Sequence, residues 1–166
     1  MVEAGFPQRP GITGSRWRSR LYAFLYLGLR LLLGAVFLYA SWDKILQPQA
    51  FAEAVYNYRI LPDFAVNFTA LVLPWLELAI ALCLIAGVWL PGASVITTSL
   101  LSIFLGALLF NMARGLDVHC GCFSVETAGT PADIFTVARD LSFLAASVYV
   151  TVFVFYQRRT GSESGG

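Results

Sequence analysis

Residues 68–112 read FTALVLPWLELAIALCLIAGVWLPGASVITTSLLSIFLGALLFNM, and Glu77 is their only charged residue. A helix needs about 20 consecutive apolar residues to cross the hydrocarbon core of a bilayer, which is about 30 Å thick. The stretch is long enough for two crossings, at 68–90 and 92–112, and the Pro-Gly pair near their junction suits a tight reversal. It therefore predicts a hairpin of two antiparallel transmembrane helices.

The chain as a whole is rich in apolar residues and poor in charged ones. Of its 166 residues, 58% are hydrophobic and 13% are charged. The charged share is about half that of soluble domains, so a soluble monomer would expose large apolar patches. A net charge of +1 gives no electrostatic footprint for nucleic acid. Two further apolar segments, 21–41 and 134–156, complete a predicted all-α bundle of four transmembrane helices in a lipid bilayer.

The distribution of Arg and Lys predicts the orientation, because cytoplasmic segments near span ends carry an excess of both. Six of the 11 basic residues lie outside the spans near the termini: Arg9, Arg16, Arg18, Arg20, Arg158 and Arg159. We expect a multi-pass protein of the bacterial inner membrane, with a membrane domain at 21–156. A basic tail at 1–20 and a flexible tail at 157–166 would be cytoplasmic, and both long connections would be extracytoplasmic.

The first long connection predicts a short helix. Its apolar residues recur near helical spacing, and Pro62 ends the run. This apolar stripe consists of Phe51, Ala54, Val55, Tyr58, Ile60 and Leu61. We expect an extracytoplasmic interfacial helix between the first and second transmembrane helices, serving either as a lid over the bundle or as a docking platform for a partner.

Several polar residues fall inside the predicted spans. Arg30 and Glu77 each lie about 14–15 Å from one end of their span, and an unpaired charge at that depth costs about 2.5–3.5 kcal/mol. We therefore expect these two to pair near the midplane. Four further residues lie near the outer ends of the third and fourth spans: Asn111, Arg114, Arg139 and Asp140. The six are predicted to form a polar interior, either as ion pairs that fix packing or as a pocket for protons or a quinone headgroup.

The second long connection contains His119-Cys120-Gly121-Cys122-Phe123. On the predicted topology it faces the oxidising side of the membrane, where disulfides persist. Two cysteines this close can bridge through a small, strained ring, and strained exposed disulfides belong to the labile, catalytic class. We expect Cys120 and Cys122 to form a redox pair, with His119 and Arg114 favouring the thiolate. Cys83, deep in the second span, is expected to be a buried apolar residue.

Two other interpretations of the motif remain open. Its His and Cys side chains suit Cu(I) or zinc, but a four-ligand site needs one more donor and the chain has no second His, so no metal site is predicted. The motif could also be a structural turn with idle thiols.

Several short motifs together resemble the MauE branch of the DoxX-like membrane proteins. They are Asp43-Lys44, Tyr58-Arg-Ile-Leu-Pro62, Leu71-Val-Leu-Pro-Trp-Leu-Glu77, Arg114-Gly115 leading to Cys120-Gly-Cys-Phe123, and Arg139. The resemblance covers about residues 22–156. It implies a four-helix, redox-associated membrane protein of bacteria that acts with a periplasmic thioredoxin-like partner in maturing a disulfide-rich subunit of methylamine dehydrogenase.

The resemblance also leaves alternatives. The related DoxD subunit passes electrons from thiosulfate to quinone. Quinone-linked oxidation of thiols or sulfur compounds is therefore a second hypothesis, and under it the cofactor would be a quinone. A non-catalytic scaffold or maturation factor is a third. Enzymes of the DsbB and VKOR types carry further cysteine pairs, whereas this chain has one pair, so electrons must pass directly to a quinone or to another protein.

Overall fold

The computed structural model of the protein describes the backbone of residues 13–114 and 134–163, with the side chains of 20–62, 64–114 and 135–159. Within these ranges all regular structure is helical: α1 (Thr13–Leu46), α2 (Pro48–Asn57), α3 (Asp63–Ala86), α4 (Leu90–Ala113) and α5 (Ile134–Glu163). Four segments are long and apolar enough to span a bilayer: Arg20–Leu46, Phe64–Ala86, Leu90–Ala113 and Phe135–Arg159. The predicted four-span, all-α fold is confirmed, and α2 is the short helix expected between the first two spans.

The four long helices form a ring in the order α1, α3, α4, α5. Helix α1 packs against α3 and α5, and α4 packs against the same two helices from the opposite corner. The core that they share consists of Leu33, Phe37, Ile80, Ala81, Leu84, Ala93, Leu101, Val150 and Val154. Large apolar side chains on the outside, such as Trp75, Leu82 and Ile103, are exposed, as expected for a surface that faces lipid.

Small residues let α1 and α3 approach closely. A Cβ added at Gly34 would lie 2.7 Å from Cγ1 of Ile85 and 3.4 Å from the carbonyl oxygen of Ala81. Small residues have this role at helix interfaces in membranes, where van der Waals packing drives association. A second interface, between α4 and α5, is held in part by a hydrogen bond between the hydroxyls of Thr98 and Thr151, which are 3.0 Å apart.

The reversal between α3 and α4 lies earlier in the chain than predicted. Helix α3 ends at Ala86, where Gly87 takes a left-handed conformation with φ 77° and donates its N–H to the carbonyl of Cys83. Trp89 is also left-handed, with φ 48°. Pro91 instead lies in the first turn of α4, a position that proline tolerates because the N–H it lacks has no partner there. The prediction that the Pro-Gly pair forms the turn was wrong, because the turn lies at residues 87–89.

The bundle has two distinct ends. The start of α1, the α3–α4 turn and the end of α5 lie at one end, called here the termini end. Helix α2, the end of α4 and the start of α5 lie at the other, called the α2 end. Helix α1 begins before the predicted span and continues beyond it to Leu46, and α5 continues to Glu163.

Candidate functional site

A buried ion pair joins α1 to α3. The Nζ atom of Lys44 donates to both carboxylate oxygens of Glu77, each at 2.7 Å. The side chains are 0% and 2% exposed, respectively. A charged side chain that is removed from water costs free energy unless it is paired. Lys44 and Glu77 therefore each need the other to remain charged in the bundle.

The extension of α1 explains how Lys44 reaches this position. Leu33, Phe37 and Ser41 are buried at helical spacing along one face of α1, and Lys44 lies on the same face one turn further on. The first span was predicted to end at Ser41, so Lys44 was expected in the connection that follows. Its place on the buried face of α1 was therefore not predicted. The helical spacing from Leu33 through Phe37 and Ser41 to Lys44 is the sequence signal that could have predicted this position of Lys44.

Aromatic side chains surround the ammonium group. Lys44 Nζ lies 5.1 Å from the ring centroid of Phe51 on α2 and 5.6 Å from that of Phe104 on α4. Phe51 is itself 3% exposed. Cation–π contacts of this kind strengthen when the cation is removed from water. Lys44 therefore connects four helices: its own, α3 through Glu77, and α2 and α4 through the two rings.

A third buried charged residue lies close to this pair. Asp140 on α5 is 5% exposed and, with Glu77, lines one small cavity of about 10 Å³. Arg139, the preceding residue, places its Nε and Nη2 atoms each 3.1 Å from Oδ1 of Asp140. The side chain of Arg139 is 39% exposed, so the pair runs from the bundle interior to its surface.

Arg30 does not pair with Glu77, and that expectation was wrong. Its guanidinium lies beside the α3–α4 turn, with Nη1 3.1 Å from the position of a Cβ at Gly87. Glu77 lies ten residues earlier on α3, a distance of about 15 Å along the helix. Arg30 was expected near the midplane, but its neighbours place it at the termini end of the bundle. Lys44, and not Arg30, pairs with the carboxylate of Glu77.

The two polar residues at the end of α4 differ from each other. Asn111 is 0% exposed, and within the part of the chain that the structure describes neither its amide nitrogen nor its amide oxygen has a hydrogen-bond partner. Arg114 ends α4, is exposed, and stacks its guanidinium 5.4 Å from the ring centroid of Phe110. Arg114 therefore does not belong to the polar interior in which it was predicted.

An apolar cavity of about 230 Å³ lies between α2, α3 and α4. All six residues of the predicted apolar stripe line it, together with residues of α3 and α4. The complete lining is Phe51, Ala54, Val55, Tyr58, Ile60, Leu61, Thr69, Leu73, Leu100, Ile103, Phe104 and Ala107. Phe51 and Phe104 thus separate this cavity from the buried ammonium of Lys44.

The cysteine motif, His119, Cys120 and Cys122, lies outside the described residues. Its segment leaves α4 at Arg114 and enters α5 at Ile134, so both of its attachment points are at the α2 end. Cys83, on α3, is a free, half-buried thiol. Within residues 13–114 and 134–163 there is no group of three or more His, Cys, Asp or Glu that could hold a metal ion.

Comparison with known proteins gives consistent matches. The family model described as "Methylamine utilisation protein MauE" matches residues 22–153. The protein of that name from Paracoccus denitrificans is 38% identical over 123 residues, covering 74% of this chain and 66% of the relative. The one from Methylophilus methylotrophus is 31% identical over 131 residues, covering 78% of this chain and 66% of the relative.

A third relative, from Methylorubrum extorquens, is 36% identical over 85 residues, which are 51% of this chain and 46% of the relative. The chain thus matches two thirds or less of the length of these proteins. No solved structure matches it.

Proposed function

Because the chain belongs to the MauE family, we propose that it is a multi-pass membrane protein of methylamine utilisation that exchanges disulfides through Cys120 and Cys122 with a thioredoxin-like partner. In this proposal residues 21–156 are the membrane domain, and residues 1–20 and 157–166 are cytoplasmic tails. The α2 end then faces the periplasm across the bacterial inner membrane.

One observation carries the proposal. Helix α4 ends at Ala113 and α5 begins at Ile134, so the segment with the cysteine pair is attached at the α2 end of a bundle that spans the membrane. A cysteine pair attached there can react with a water-soluble partner at the membrane surface, and the partner does not have to enter the bilayer. The excess of arginines at the opposite end supports the periplasmic assignment of the α2 end.

The exchange needs no group beyond the four sulfur atoms. A thiolate of the partner attacks one sulfur of a Cys120–Cys122 disulfide, the S–S bond breaks, and a mixed disulfide forms. A second partner thiolate then breaks the mixed disulfide. The partner leaves with a disulfide, and Cys120 and Cys122 hold the two electrons and two protons as thiols.

Trapping the mixed disulfide tests the proposal. In cells that use methylamine, the thiolate left in Cys120→Ser or Cys122→Ser attacks the disulfide of the oxidised partner, which is the same exchange in reverse, and the missing cysteine cannot resolve the product. Each variant should therefore give a higher band on a non-reducing gel that disappears on reduction. Cys83→Ser is the matched control, because that thiol lies within a span, and it should give the wild-type pattern. No reducible band from either variant, together with full activity of the double variant Cys120→Ser/Cys122→Ser, would contradict the exchange and favour a scaffold role.

A second candidate, quinone-linked oxidation of thiols or sulfur compounds, is favoured by the apolar cavity beneath α2. Its volume of about 230 Å³ compares with about 150 Å³ for an engineered apolar cavity that binds benzene. Two thiols oxidised to one disulfide would give up two electrons and two protons, which convert one quinone to a quinol.

Filling the cavity tests this candidate. Ala107 lines it, whereas a Cβ at the neighbouring Gly106 would meet open space. Ala107→Phe should abolish quenching of the intrinsic fluorescence by a short-chain quinone, and Gly106→Phe should leave quenching unchanged. Equal quenching in both variants would remove the cavity as the quinone site.

A further inference from the structure

A third cavity, of about 300 Å³, lies at the termini end of the bundle. Helices α1, α4 and α5 and the α3–α4 turn all contribute to it. Its lining is Tyr26, Gly87, Trp89, Leu90, Pro91, Phe153, Val154, Gln157 and Arg158. Unlike the cavity beneath α2, it combines aromatic rings with a cationic side chain.

Arg30 adds a second cation beside this lining. Its guanidinium carbon lies 5.9 Å from the ring centroid of Tyr26 and 3.6 Å from the position of a Cβ at Gly87, and both residues line the cavity. Its Nε atom is buried and has no hydrogen-bond partner among the described residues. A buried guanidinium nitrogen without an acceptor is costly, so the Nε atom of Arg30 is a donor that lacks an acceptor.

The chain supplies no carboxylate for these cations within its described residues. The salt bridges found there, Lys44–Glu77 and Arg139–Asp140, involve neither Arg30 nor Arg158. The start of α4 adds partial positive charge, because its N-cap residue Trp89 makes no side-chain cap and the first N–H groups of a helix have no partner within it. Thus Arg158 lines the cavity, Arg30 lies beside two of its lining residues, and the start of α4 adds partial positive charge, with no counter-charge among the described residues.

The surroundings identify what could supply the anion. Each of the four candidate spans has one end at this end of the bundle, so in a bilayer the cavity would lie near the boundary between hydrocarbon and headgroups. Trp and Tyr are enriched at that boundary, and basic pockets between transmembrane helices bind acidic lipid headgroups. We propose that this cavity binds the phosphate headgroup of an anionic phospholipid, with Arg30 and Arg158 holding the phosphate and Tyr26 and Trp89 flanking it.

Native mass spectrometry of the full chain, delipidated in a neutral detergent, tests the assignment. The protein is titrated with dioleoylphosphatidylglycerol, dioleoylphosphatidylcholine and inorganic phosphate. We expect one saturable phosphatidylglycerol per protein, with phosphatidylcholine at least tenfold weaker. A basic residue near a membrane surface contributes about 1 kcal/mol, so Arg158→Gln should weaken phosphatidylglycerol binding about fivefold.

The controls separate this site from general surface charge. Arg159→Gln removes the same charge one residue away from the lining, and it should change the affinity less than twofold. Arg30→Lys keeps the charge but loses the fork of donors, and it should weaken binding about tenfold. If Arg30→Lys does not fold, the comparison of Arg158→Gln with Arg159→Gln still tests whether phosphatidylglycerol binds at this cavity.

Three results would overturn the proposal. One is equal affinity for the two lipids, which would remove the role of headgroup charge. Another is an equal loss of affinity in Arg158→Gln and Arg159→Gln. The third is tight binding of inorganic phosphate that displaces phosphatidylglycerol, which would assign the site to a free anion in solution.

Discussion

Replacing Lys44 with Met removes one partner of the buried ion pair and nearly keeps the volume of the side chain. Glu77, 1% exposed, then remains in the bundle without the two 2.7 Å hydrogen bonds that satisfy it. Breaking a buried pair in this way costs about 3–5 kcal/mol. For a chain of this length, that loss corresponds to a fall in Tm of roughly 6–20 °C.

The second change, Glu77→Gln, should restore most of the loss. With both charges gone no unpaired ion remains, and the double variant should unfold within about 1–2 kcal/mol of the wild type, since replacing both members of a buried pair is often nearly neutral. The assay is thermal unfolding of the purified protein in one detergent, followed by intrinsic fluorescence. The double-mutant cycle gives the coupling energy directly.

A matched cycle provides the control. Arg30→Met combined with Glu77→Gln should be additive within about 0.5 kcal/mol, because Arg30 lies at the α3–α4 turn and distant sites do not couple. Additive losses in the Lys44 cycle, or coupling in the Arg30 cycle, would refute the assignment of the pair.

Three further predictions concern packing. Gly34→Val should lower the unfolding free energy by about 1–3 kcal/mol, because its side chain meets Ile85, and Ile85→Ala in the same background should recover part of this loss in the same thermal assay. Phe51→Ala should cost about 3–5 kcal/mol and speed proteolytic cleavage near α2, since the ring is buried between α2 and the ammonium of Lys44; unchanged cleavage would show that α2 is held by other contacts. Ala107→Leu should raise Tm by filling the cavity beneath α2, and a lower Tm would mean that the cavity is smaller in solution.

Length and apolarity were sufficient to predict the membrane spans, because a bilayer imposes a minimum number of apolar residues on every crossing. Periodicity was sufficient to predict α2, but the helix ends at Asn57 and not at Pro62. The stripe residues Tyr58, Ile60 and Leu61 lie beyond that end, although all six stripe residues line the cavity. Both signals are local, so one sequence contains them in full.

The partners of the buried charges could not be predicted in the same way. Depth counted from predicted span ends put Arg30 and Glu77 at one level, but α1 starts earlier, ends later and packs in a different register against α3. Register between helices depends on close contacts such as Gly34 against Ile85, which a hydropathy pattern does not contain. Lys44 lies 14 residues after Arg30 on α1, about 21 Å or four helical turns away, so the predicted register between α1 and α3 was wrong by that much.

The turn was misplaced for a related reason. Proline and glycine mark both turns and helix starts, and the sequence alone did not distinguish the two uses. Gly87 ends α3 because glycine takes a left-handed conformation without steric cost, which leaves Pro91 free to begin α4.

Labelling of the cysteines in intact cells tests the central claim most directly. In a Cys83→Ser background a membrane-impermeant thiol reagent should label Cys120 and Cys122 after an external reductant has been added, and a prior external oxidant should prevent the labelling. A cysteine pair that is labelled only after the inner membrane is permeabilised, or that is labelled equally after reductant and oxidant, would contradict an extracytoplasmic redox pair.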